Sequence, residues 1–157
     1  MKKTIYISLL LALIVSVSAH AQKPDVTENF DINGIIVGSE VNDRILSSKL
    51  GSPTSVEVVG PGFIIYNYGQ SGICVINNDL MSVSVADREF PVMTTIFDEG
   101  IKVGDNASKV KAKIREKTRN EIHETDKGFI VGNYDYHVSF GVSNGKITLI
   151  SFDLESY

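Results

Sequence analysis

At 157 residues, with 43% hydrophobic and 22% charged side chains, the chain has enough apolar content for a buried core, which excludes a disordered or low-complexity protein. Its formal charge of −4 argues against nucleic acid or anionic lipid as the main partner, since both attract basic surfaces. A single cysteine, Cys74, excludes an internal disulfide, so the core has to hold the fold.

Residues 1–21 read as a signal peptide. Lys2 and Lys3 form a positive start, residues 6–17 are an apolar run too short to span a bilayer comfortably, and Ala19 and Ala21 occupy small-residue cleavage positions. Export follows, to the periplasm or beyond the cell, with Gln22 as the mature N-terminus and no integral membrane segment after cleavage. Loss of the two lysines takes the charge to about −6. Residues 22–31, with Lys23-Pro24 and several acids, read as a mobile leader.

From there the chain repeats itself. Residues 34–87 align without a gap on residues 100–153, at an offset of 66, with identities that include Gly34/Gly100, Gly38/Gly104, Gly62/Gly128, Phe63/Phe129, Tyr68/Tyr134 and Asn78/Asn144. Each copy opens on Gly-Ile-x-Val-Gly, followed by a polar residue (Ser39, then Asp105) suited to cap a helix. Val41, Ile45, Leu46 and Leu50 recur at helical spacing, as do Ala107, Val110 and Ile114, and Gly51 with Pro53 should end the first helix.

After each helix the period becomes two. Residues 55–59, 63–68, 73–76 and 81–85 predict strands, separated by turns at 60–62, 69–72 and 77–79. In the second copy Tyr136, Val138, Phe140 and Val142 alternate with small or polar residues, and Asn144-Gly145 predicts a hairpin because both residues tolerate positive φ. Residues 92–97 fit either a further strand or a buried connector. The expected fold is α+β: two tandem repeats, each one helix packed on an antiparallel β-meander, with boundaries at 22–95 and 96–157.

Ile36-Val37-Gly38, a capped helix, Leu50-Gly51-Ser52-Pro53-Thr54 and a tyrosine-bearing hairpin resemble the module of the small outer-membrane lipoprotein of the β-barrel assembly machinery. The tandem pair resembles the β-lactamase inhibitor protein fold, which implies two helix-plus-sheet repeats that form one concave sheet. The chain departs from both, having neither a lipid-bearing cysteine after the signal nor a disulfide pair. No site residue carries over from either.

The catalytic search is bare. Cys74 lies in the apolar run Ile73-Cys74-Val75-Ile76, the setting of a small buried hydrophobe. His123 and His137 are the only mature histidines; Glu121 and His123 share one face of a strand with Glu124 opposite, short of the three convergent ligands zinc requires. Asp43, Asp98 and Glu99 form no acid–base pair, and the Gly60-Pro61-Gly62 and 69–72 turns lack the Lys-Ser/Thr of a phosphate loop. Neither a metal nor a cofactor is expected. The basic run Lys109, Lys111, Lys113, Arg115, Lys117 and Arg119 reads as a solvated helix face, with contact to an acidic partner as the sharper alternative. Asn106-Ala107-Ser108 matches a glycosylation acceptor, though a capping role explains Asn106.

Four tyrosines remain as partner-binding candidates: Tyr66, Tyr68, Tyr134 and Tyr136, at matching hairpin positions. Tyrosine suits interfaces through its rigid apolar body and polar tip, and equally suits the covering of a sheet. The sequence therefore favours a non-enzymatic exported protein-binding module, in one form an inhibitor of an envelope or extracellular hydrolase. A soluble structural or assembly component of the cell envelope is the second reading, and a hydrolase the least supported.

Overall fold

The computed structural model describes residues 22–87, 90–133 and 136–154. The signal expected over residues 1–21 and the candidate Tyr134 lie outside them.

The described chain opens with a two-residue hairpin, β1 (Asp31–Ile32) and β2 (Ile35–Ile36), whose turn residues Asn33 and Gly34 both take positive φ, 48° and 79°. Helix α1 (Asp43–Leu50) follows, then strands β3 (Ser55–Gly60), β4 (Phe63–Tyr68), β5 (Ser71–Ile76) and β6 (Asp79–Val85). Helix α2 (Ala107–Lys117) precedes β7 (Ile122–Thr125), β8 (Gly128–Gly132), β9 (His137–Ser143) and β10 (Lys146–Asp153). The long strands fall where the period-two runs placed them, and Asn144-Gly145 forms its hairpin with φ of 51° and 72°.

The fold class differs from the expected one. β3 to β10 form a single eight-stranded antiparallel sheet in the order β3-β4-β5-β6-β10-β9-β8-β7. Its middle is the pairing of β6 with β10, Val85 opposite Ile150 and Val83 opposite Phe152. The fold is mainly β, not a pair of helix-on-meander repeats: backbone hydrogen bonding across β6 and β10 makes one continuous sheet, and helices of 8 and 11 residues are only short covers on it.

One face of the sheet is covered and the other open, the usual economy of an antiparallel sheet. Ile73 and Val75 of β5, Val83 and Val85 of β6, Phe129 and Val131 of β8, and Ile150 and Phe152 of β10 point to the covered face, and their alternates are half-buried or exposed. Leu46 and Leu50 of α1, Val110 and Ile114 of α2, and Val92, Met93 and Phe97 between the two halves complete one core. Residues 92–97 are thus a buried connector; Val92 bridges to both Ile32 and Ile101.

Two local expectations are corrected by tertiary contacts. Residues 22–31 are no mobile leader: Val26 and Phe30 are buried, Phe30 stacks on Phe152 at 5.0 Å, and Arg119 reaches Asp25 and Glu28 at 3.2 and 2.9 Å. The helix caps are Asn42 and Asn106, accepting from the N–H groups of Ile45 and Lys109, in place of Ser39 and Asp105. The Ser39 carbonyl accepts from Leu80 N–H while Gly38 N–H donates to the Leu80 carbonyl, and Asp105 and Gly104 do the same with Ile147, so each segment pairs with a distant strand before its helix can start. Gly51 ends α1 as expected, at φ 81° with its N–H on the Ser47 carbonyl.

Candidate functional site

The two ends of the sheet are built differently. β7 is a four-residue edge bearing Glu124, which pairs with Lys111 at 2.9 Å, and short charged edges resist pairing with other chains. β3 is six residues long, and Ser55 to Val59 are exposed, Val58 at 72% of its full area. As the outermost strand among the described residues it carries an outer row of backbone groups that no described strand satisfies. Val56 lies opposite Tyr66 and Val58 opposite Ile64, so both valines sit on the face that carries α1. α1 is only about 12 Å long by its helical rise, and Val56 and Val58 stay 51% and 72% exposed.

Between α1, β3 and β4 lies a cavity of 290 Å³. Leu46, Pro53, Val56 and Ile64 give it apolar walls; Asp43, Ser47, Tyr66 and Tyr68 give it polar atoms. A second cavity of 450 Å³ adjoins it, sharing Asp43, Leu46, Ile64 and Tyr66 and adding Arg44 and Asn78. Mostly apolar walls with a few convergent polar groups are what a ligand pocket needs.

The three described candidate tyrosines, Tyr66, Tyr68 and Tyr136, are not brought together on one open surface. Tyr66 and Tyr68, two residues apart on β4, face the core and are only 7% and 5% exposed. The Tyr66 hydroxyl donates to Asp43 Oδ1 at 2.6 Å. Tyr68 meets the Phe90 ring edge-on at 5.5 Å, and its enclosed hydroxyl makes no hydrogen bond among the described residues. Burial, the bond to Asp43 and the charge of Asp43 push the Tyr66 phenol up to about 12. Burial, then Asp43, also raises that of Tyr68, so both rings stay neutral across ordinary pH. Tyr136 is 37% exposed at the entry to β9, four strands from β4 and hence about 19 Å away at the usual strand spacing.

The remaining candidates stay apart. Cys74 is half-buried on the open face of the sheet rather than in the core; burial, then the charge of Asp153, raises its thiol pKa. Glu121 and His123 stand 3.8 Å apart, and among the described residues no three His, Cys, Asp or Glu side chains converge as metal ligands. The basic run of α2 is partly neutralised: Lys111 pairs with Glu124 and lies 5.5 Å over the Phe129 ring, and Arg119 serves the N-terminal segment. The Asp43–Tyr66 bond escaped the sequence reading, because nothing in the residue pattern ties a helix start to a strand 23 residues later.

No protein-family model matches the chain, and no characterised protein sequence matches it. Among solved structures it is similar to an extracellular protein containing an SCP domain from Bacillus anthracis str. Ames, at 12% identity and a TM-score of 0.48. It is also similar to a cysteine-rich secretory protein from Staphylococcus aureus subsp. aureus Mu50, at 16% identity and a TM-score of 0.46. Each match covers 76% of this chain and 44% of the other, so the chain spans less than half the length of either. The resemblance to the β-lactamase inhibitor protein and to the assembly-machinery lipoprotein is corrected by the fold, which is mainly β and not two helix-on-meander repeats, and neither of these two structures is of either kind. No helix among the described residues is long and apolar enough to cross a membrane.

Proposed function

We propose that this exported protein is a non-enzymatic binding module that takes an extended segment of a protein partner onto the β3 edge. The observation that carries the reading is the contrast between the two ends of one sheet: a short charged edge at β7 and a long valine-bearing edge at β3. An added strand gains backbone hydrogen bonds along the edge and side-chain contacts with the exposed valines. Neither nucleic acid nor a cofactor enters this reading. The site supports protein binding in general and has no feature specific to inhibition of a hydrolase.

The test is capture of partners from envelope and extracellular fractions with the mature protein, in parallel with Val58→Lys and, as a control at the other edge, Thr125→Lys. A partner held by the native protein and by Thr125→Lys, but lost with Val58→Lys, supports the reading. A partner held equally by all three places the contact elsewhere and overturns it.

A further inference from the structure

We infer that the cavity between α1 and β3 receives a lysine or arginine side chain from the strand added at the β3 edge, an inference that rests on the binding mode proposed above. Asp43 is the charged residue of this cavity; Arg44, next in sequence, lines the adjoining one. Asp43 spends Oδ1 on the Tyr66 hydroxyl, and Oδ2 makes no hydrogen bond among the described residues. The Tyr66 oxygen, having donated its proton, still has lone pairs to accept with. Tyr68 lines the same cavity and is 5% exposed, with a hydroxyl that has no partner among the described residues.

The Asp43 carboxylate and the Tyr66 oxygen form an acceptor pair, which selects a cation over an anion. The net charge, about −6 once residues 1–21 are removed, adds to it at longer range. Reach narrows the choice further. A strand beside β3 lies about 10 Å from β4, two strand spacings, so only a long side chain passes over Val56 to the Asp43–Tyr66 pair. Leu46, Pro53 and Ile64 would pack along its aliphatic stem, leaving the charged head at the polar end.

The probes are two blocked six-residue peptides of alternating valine and threonine, one with a central lysine and the other with norleucine there, and free hexylamine. The lysine peptide should bind the native protein about tenfold more tightly than the norleucine peptide, as expected for one charge-assisted contact. Asp43→Asn, whose amide oxygen can still accept from Tyr66, should abolish the preference at a modest cost in stability, while Tyr68→Phe, a control at the closed-off hydroxyl, should leave both the preference and the melting behaviour unchanged. Equal binding of the two peptides, with β3 amides protected from exchange by both, overturns the cavity assignment and leaves the edge reading intact. Protection of β3 by neither peptide removes the edge reading and the assignment together. Hexylamine binding that depends on Asp43 in the absence of any peptide binding assigns the cavity to free amines and overturns the strand-borne side chain.

Discussion

Tyr66 and Tyr68 sit on one face of one strand, yet their hydroxyls are in opposite states, one bonded and one not. Tyr66→Phe removes a bond to a carboxylate and should cost about 1 to 2 kcal/mol in denaturant unfolding; Tyr68→Phe removes none and should cost under about 0.5 kcal/mol. Truncation to alanine at either position should cost roughly 3–5 kcal/mol, because both rings belong to the core. A cost that small on truncation would return these rings to the surface role the sequence allowed them. Asp31 is the other residue whose loss should be severe. It is fully buried and accepts from the N–H of Gly34, the hydroxyl of Thr94, and both the N–H and hydroxyl of Thr95. Asp31→Ala orphans these donors and should lower stability by roughly 3 kcal/mol or more, read as a fall in melting temperature. Cys74, half-buried with a raised thiol pKa, should react slowly in the native protein and faster at pH above the ordinary thiol range.

Among the elements, β3 should be thermodynamically indifferent to surface change and functionally sensitive to it. Val58→Lys places a charge where the side chain is already in water, so its effect on stability should lie within about 0.5 kcal/mol. Asn42→Ala, by contrast, should cost about 1 kcal/mol through loss of the α1 cap, and Ser39→Ala much less. Calorimetry of the three variants checks the ranking. The strands were legible because alternation and turn residues are local signals: Phe63, Ile65 and Asn67 alternate with Ile64, Tyr66 and Tyr68 wherever the strand ends up. Which of those two faces the helix would cover was not legible, and neither was the edge position of β3, since strand order depends on pairing between distant residues. The N-terminal segment misled for a related reason. Its charged residues Asp25 and Glu28 are what solvent and Arg119 see, while Val26 and Phe30, four apart, are its anchors in the core.

At the scale of the molecule, one sheet and one core imply cooperative unfolding, with the N-terminal segment as a participant. Asp25 links that segment to the end of α2. Burial works against its charge, but hydrogen bonds from Thr27, Asn120 and Arg119 outweigh it and hold its carboxyl down at about 2. A folded pKa below the ordinary value of 3.8 means the carboxylate favours the folded state above that pH, and the contribution fades as pH falls toward 2. The stability gap between the native protein and Asp25→Asn should therefore be constant above about pH 5 and close between pH 4 and 2. The central claim concerns the open end of the sheet, and amide hydrogen exchange reads it most directly. In the free protein the outward amides of residues 55–60 should exchange quickly while those of β6 and β10 are slow. With a captured partner bound, protection should appear over residues 55–60 and leave β7 unchanged. Protection confined to β7 or to the half-exposed face of the sheet, with residues 55–60 still exchanging freely, would contradict the account.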